Sequence, residues 1–154
     1  MNPYKIEWCL SLLSKYSVQI LENDFKDIKL TKTQMLFIIH LKQRPGIHQD
    51  HLAEIFKMER STVTRAVQRL IQLEFIKKEV DEKNRKANCL FLTTVGDDVY
   101  NQVMTKLLEW TGVLTKGMTK EEIDMSIRLL SKMASNACHH LGDDKLAELI
   151  GKGV

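Results

Sequence analysis

The sequence predicts a mainly α-helical chain with one two-stranded antiparallel hairpin, and three observations carry that expectation. Two short stretches of helical apolar spacing, His48 to Phe56 and Arg60 to Leu73, are separated only by Lys57-Met58-Glu59. Two β-like runs follow, Phe75 to Val80 and Asn88 to Leu92, around the polar turn Asp81 to Lys86. Long amphipathic segments stand at both ends of the chain. The order helix, turn, helix, strand, basic turn, strand is that of a winged helix-turn-helix.

From Tyr4 to Lys26, apolar groups recur mostly three or four apart at Ile6, Cys9, Leu10, Leu13, Val18, Leu21 and Phe25, which makes one amphipathic helix. Asp27 to Leu30 is a short connection. Thr31-Lys-Thr-Gln34 has the form of a capping box, in which the Thr hydroxyl takes a backbone N–H and Gln34 reaches back. The helix it opens runs through Gln43 and stops at Pro45-Gly46, because proline cannot continue it and glycine suits the turn. The helix from His48 turns Leu52, Ala53, Ile55 and Phe56 inward. The helix from Arg60 buries Val63, Ala66 or Val67, and Leu70. After the hairpin, Thr93 or Thr94 starts a long helix with Val95, Val99, Val103, Leu107, Trp110 and Leu114 on one face, and Gly117 ends it. A second capping box, Thr119-Lys-Glu-Glu122, opens a last helix with Ile123, Ile127, Leu130, Ala134, Ala137 and Leu141 on one stripe. The tail beyond Gly142 reads as a frayed helical turn or two. About six helices and one hairpin result, and the terminal helices carry more apolar face than one small module covers.

Composition is that of an ordinary globular protein: 154 residues, 44% hydrophobic and 28% charged. The net charge of +3 is mild, but its distribution is not even. Lys57 to Lys86 holds nine Lys or Arg against five Asp or Glu, a net of +4, which leaves the rest of the chain at −1. The positive field is thus concentrated on the helix-turn-helix and hairpin. No apolar run approaches the roughly 18 residues of a membrane span. The first residues lack a signal-peptide layout. Cys9, Cys89 and Cys138 form no CxxC pair and leave an odd thiol, which fits a reducing cytoplasm.

In a helix-turn-helix the second helix enters the major groove of DNA with its first turns toward the base edges. Arg60, Ser61, Thr62, Thr64 and Arg65 occupy those turns, with Gln68 and Arg69 farther along. Small hydroxyl residues allow close approach, and Arg65 offers a guanine a bidentate pair of donors. Arg69 and Lys57 suit phosphates. Any one of these residues would also serve on a solvated helix face; it is their occurrence in order, with the turn and the basic hairpin, that points to DNA. The hairpin tip, with Lys83, Asn84, Arg85 and Lys86, suits the narrow minor groove, where negative potential is strongest, although basic residues also keep a bare tip soluble.

With LAEIFKMERSTVTRAVQRL and IKKEVDEKNRKANCLFLTTVG in place, the chain resembles the MarR family of bacterial transcriptional regulators from about residue 5 to 141. The resemblance implies a single domain over residues 1–154. Its winged DNA-binding part would be 31–94, and residues 4–26 and 95–141 would supply the dimerisation helices. It further implies a homodimer whose first and last helices interlock, and two winged helices that read a palindromic operator in double-stranded DNA. Arg60 to Leu73 would be the recognition helix, and the wing would lie between Phe75 and Leu92. The sequence departs from the family at the wing. The usual Asp-x-Arg is Asn84-Arg85-Lys86, so the stiffening ion pair is missing and Arg85 is the candidate for insertion. The Gly that normally precedes the first wing strand is Glu74, which makes that turn strained or differently shaped.

The resemblance also raises regulation. Family members bind small phenolic or other aromatic acids, and here Trp8, Phe37, His40 and Trp110 are available to line a pocket, although each also reads as aromatic core. Cys9 in the first helix brings to mind the family's peroxide sensors, but a cysteine on an apolar stripe is more often a small core residue. His48 and His51, and His139-His140 after Cys138, do not complete a metal-ligand set. No cofactor is therefore expected. Catalytic constellations, a P-loop and a GxGxxG fingerprint are lacking. The expectation is a non-enzymatic, cytoplasmic DNA-binding regulator, most simply a repressor released by a small ligand. The rivals are a thiol-based sensor through Cys9 and a winged helix that binds protein and not DNA.

Overall fold

The computed structural model describes residues 2–81 and 88–151, which divide into two compact units, Met1–Thr111 and Gly112–Val154. In the first unit α1 (Pro3–Asp24) starts at Asn2, whose side chain accepts the Tyr4 N–H, with proline in the first turn where its missing donor is not needed. A 3₁₀ turn, Lys26–Ile28, leads into α2 (Lys32–Gln43). The expected Thr31–Gln34 capping box is complete in both directions. Glu22 of α1 also accepts the Lys32 N–H at 3.0 Å, which ties the two helices together at this corner.

After the Pro45-Gly46 turn come β1 (Ile47–His48), α3 (Gln49–Phe56), α4 (Arg60–Gln72), β2 (Ile76–Val80), β3 (Asn88–Leu92) and α5 (Thr94–Leu114). Here the structure adds a third strand to the expected two-stranded wing. His48 does not begin the helix: it stays extended as the residue before α3, and β1 pairs antiparallel with β3, placing Ile47 opposite Leu90 and His48 opposite Cys89. The sheet is three-stranded in the order β1-β3-β2. Two residues are too few to show a period-two pattern, so only the free edge of β3 reveals this strand. The rest of the wing agrees with expectation, since β2 and β3 pair from Ile76–Leu92 out to Val80–Asn88.

One core fills this unit. Phe37, Ile38 and Leu41 of α2, Leu52 of α3, the α4 stripe Val63, Val67 and Leu70, Leu90 of β3 and Val103 of α5 are all sealed from solvent. The second unit holds α6 (Lys120–His140) and α7 (Asp144–Gly151). The Thr119–Glu122 capping box is formed as expected. The tail, expected as a frayed turn or two, is the eight-residue helix α7, with Ala147 buried.

Each unit leaves a large apolar face uncovered. On α1, Ile6, Trp8, Leu10, Leu13 and Tyr16 are exposed; on α6, so are Ile127, Leu130 and Met133. An apolar surface of this kind on a water-soluble helix marks a place where another surface packs.

The junction between wing and α5 is tightly built. The Phe75 carbonyl accepts the Thr93 N–H at 3.0 Å, and the Thr93 hydroxyl donates to the Glu74 carbonyl and accepts the Gly96 N–H. A Cβ on Gly96 would lie 1.9 Å from the Phe75 carbonyl oxygen, so only glycine lets α5 start this close to the strand. Gly96→Ala must push backbone from backbone and should cost about 1–3 kcal/mol. A lower urea midpoint at unchanged slope would show it, and an unchanged midpoint would refute the close approach. Glu74 itself sits at φ +60°, the left-handed region that the expected glycine would occupy without cost. A side chain there costs about 1–2 kcal/mol, partly offset by the extra freedom glycine has when unfolded, so Glu74→Gly should gain up to about 1 kcal/mol in the same titration.

Candidate nucleic-acid interface

The helix-turn-helix is assembled from backbone outward. Lys57 closes α3 in the left-handed conformation, with its N–H and that of Met58 both directed to the Ala53 carbonyl. That reversal brings α4 across α3. The Glu59 carbonyl accepts the Thr62 and Val63 N–H groups, which starts α4 without a side-chain cap. With Val63, Val67 and Leu70 facing the core, helical geometry turns Ser61, Arg65 and Gln68 the other way, and all three are exposed. Arg60 is exposed too, its guanidinium Nε 3.6 Å from an Asp50 carboxylate in a solvent-screened pair.

The remaining candidates are held more closely. The Thr64 hydroxyl donates to the Arg60 carbonyl at 2.8 Å and accepts from the Gln49 amide at 2.6 Å, so it braces α3 against α4. Gln49 escaped the sequence reading because nothing in the spacing of α3 distinguishes it; only the crossing of the two helices brings it to Thr64. The Arg65 guanidinium donates to the Thr62 hydroxyl at 3.4 Å, a long and exposed contact. Arg69 is half-buried. Beside the helix, β2 adds exposed Lys77 and Lys78. The wing-tip candidates Lys83, Asn84, Arg85 and Lys86 lie outside the described residues.

The ligand and thiol candidates are dispersed within the first unit. Phe37 is wholly buried, its ring centroid 5.1 Å from that of Phe56. His40 lies edge-on to Phe56 at 5.8 Å and 6.2 Å from the ring of His51. Its Nε2 is buried and finds no hydrogen-bond partner among the described residues. Trp8 is exposed on α1, and Trp110 is half-buried near the end of α5. Cys9 is exposed, and no hydrogen bond to its thiol is made among the described residues. Of the histidines, His139 pairs with Asp144 at 2.6 Å, which joins α6 to α7. His48 lies 3.0 Å from Asp81 and 3.9 Å from the Cys89 sulfur.

This arrangement defines a class: a winged-helix module whose second helix offers a hydroxyl, amide and guanidinium face on a rigid apolar backing. A family model for the MarR family matches residues 30–87, the winged part. The chain is 37% identical over 113 residues to the uncharacterized HTH-type transcriptional regulator YybA of Bacillus subtilis (strain 168), a match covering 73% of this chain and 75% of that one. A MarR family transcriptional regulator from Listeria monocytogenes, solved in complex with 26mer DNA, superposes with a TM-score of 0.81 at 26% identity, over 99% of this chain and 97% of that one. The transcriptional regulator SlyA superposes at 0.79 with 27% identity, over 88% and 95%. The chain belongs to the MarR family, and it is a winged-helix transcriptional regulator. Among the described residues no helix is long and apolar enough to cross a membrane.

Burial, then the charge of Arg44 and the neighbouring His51, holds the His40 pKa below its ordinary 6.5. The folded state therefore resists a proton that the unfolded chain accepts. The stability this group supplies is complete above pH 6.5 and is lost as the pH falls through the lower, folded value. His40→Phe, which keeps a ring beside Phe56, should flatten the fall in melting temperature between about pH 7 and pH 5. Parallel profiles for the two proteins would remove His40 as its source.

Proposed function

We propose that the chain acts as a cytoplasmic homodimeric repressor that reads a palindromic operator, one α4 helix to each half-site. The exposed face of α4 carries this reading: Ser61, Arg65 and Gln68 are presented together by a helix whose opposite stripe cannot turn without emptying the core. Arg60, Ser61, Thr62, Arg65 and Gln68 are assigned to the groove, and Arg69, Lys83, Asn84, Arg85 and Lys86 to phosphates and the adjacent minor groove. Thr64 takes a bracing part through Gln49. The exposed apolar faces of α1 and α6 support the homodimer, because a second copy is the simplest surface of matching character. In that reading residues 31–94 form the DNA-binding part of one domain and the helices on either side form the dimer. The Listeria monocytogenes relative, seen with a 26mer duplex, supports DNA as the partner.

Release follows from the same geometry. A small aromatic acid bound near Trp8 and His40, or oxidation at Cys9, would act by changing the separation of the two reading helices. Substituting Arg65 with Ala should cost about 1–3 kcal/mol of binding and relax base preference at one position per half-site. Duplexes selected from a random pool, followed by gel shifts of both proteins across a salt series, measure this directly. Equal operator affinity for the two proteins would displace Arg65 from the groove. An absence of any salt-dependent duplex affinity would favour a winged helix that binds protein, since a DNA reader loses affinity steeply between about 50 and 200 mM salt.

A further inference from the structure

The solvent side of the three-stranded sheet brings together side chains far apart in sequence. His48 of β1 stands directly opposite Cys89 of β3, and Cys89 opposite Glu79 of β2. Asp81, two residues beyond Glu79, points to the same face. The His48 Nε2 lies 3.0 Å from an Asp81 carboxylate oxygen and 3.9 Å from the Cys89 sulfur, and the three donor atoms all lie within 4.8 Å of one another. All three residues are half-buried: sheltered, yet open to entry.

Those spacings are close to the edges of a metal tetrahedron. Bonds of about 2.05 Å to nitrogen, 2.1 Å to oxygen and 2.3 Å to sulfur set nitrogen about 3.4 Å from oxygen and about 3.6 Å from sulfur. Small side-chain rotations bridge the difference. One imidazole, one thiolate and one carboxylate form the mixed donor set that zinc(II) and similar borderline cations take; magnesium and calcium require oxygen shells. Thiolate and carboxylate bring two negative charges to balance the cation, while the nearby Glu79 is paired with Lys77 at 2.6 Å.

We propose that His48, Asp81 and Cys89 form a three-ligand site for a divalent cation of the zinc class, with water in the fourth position. On binding, the Nε2 proton that faces Asp81 leaves through solvent, with Nδ1 keeping or taking the ring's one proton, so that the Nε2 lone pair goes to the metal and the Asp81 carboxylate exchanges its contact with His48 for the cation. The Cys89 thiol releases its proton to solvent as the sulfur–metal bond forms. The location gives the site a consequence. His48 caps the start of α3 and Asp81 directly follows the last residue of β2, so a shared cation ties the helix-turn-helix to the wing and fixes the angle between the two DNA-contacting parts. This regulatory step rests on the DNA reading proposed above, and metal should tighten duplex binding about fivefold or more.

The test uses the full chain, stripped of metal and kept under a phosphine reductant. Cobalt(II) should bind at one equivalent per chain with a thiolate-to-cobalt charge-transfer band that one equivalent of zinc(II) abolishes. The band should vanish in Cys89→Ser and survive in a Cys9→Ser/Cys138→Ser double variant. Asp81→Asn, which keeps the thiol and approximate shape, should weaken cobalt binding at least about tenfold, and it serves if circular dichroism shows Cys89→Ser unfolded. A band that persists without Cys89, or no saturable band, overturns the site. Gel shifts of a selected duplex with and without zinc(II) separate the two proposals. Duplex binding without a cobalt band sinks the metal site and leaves the DNA reading; a band without duplex binding does the reverse. Equal affinity with and without zinc(II) overturns the link to the wing.

Discussion

The pairing of β3 with strands on both its edges is the constraint on which the rest of the first unit depends. Toward one edge it bonds to β1 and so to the start of α3; toward the other it bonds to β2 and so to the end of α4. Its middle residue, Leu90, is fully buried in the same core as Val63, Val67 and Leu70. A helix-turn-helix alone would be two short helices with one shared apolar seam, marginal in water. Clamped from behind by a strand that also carries the wing, it becomes a firm support for a polar outward face.

Rigidity at this junction is obtained at local cost. Glu74 accepts a left-handed backbone, and Gly96 gives up its side chain so that α5 can begin against the Phe75 carbonyl. The Thr93 hydroxyl, hydrogen-bonded on both sides, joins the two positions. These features place the wing root and the start of α5 in one fixed geometry. The start of α5 and the wing root are therefore joined by a few short hydrogen bonds and not by a flexible linker.

Much of the candidate interface was legible in the residues. The spacing of Val63, Val67 and Leu70 fixed which side of α4 is inward, and hence that Ser61, Arg65 and Gln68 are outward. Both capping boxes, Thr31–Gln34 and Thr119–Glu122, announced helix starts because their two reciprocal bonds are local. Less was legible where partners are distant. Thr64 looked like a base-contacting hydroxyl, yet its bond to Gln49 crosses from one helix to another. Phe37 and His40 fit a pocket wall on residue type, whereas their surroundings are those of packed aromatic rings beside Phe56.

Sequence alone determined the elements whose signals repeat within a few residues: the amphipathic helices, their caps, the outward face of α4 and the two longer strands. Tertiary structure decided what depends on contacts between remote segments. Strand β1 is two residues long and exists only because β3 offers a free edge to pair with. The grouping of His48, Asp81 and Cys89, up to forty-one positions apart, follows from that pairing and from no motif. Local periodicity is set by the geometry of one helix or strand, whereas the register between strands is set by the burial of Leu90 and its neighbours in a core that forms only when the whole unit closes.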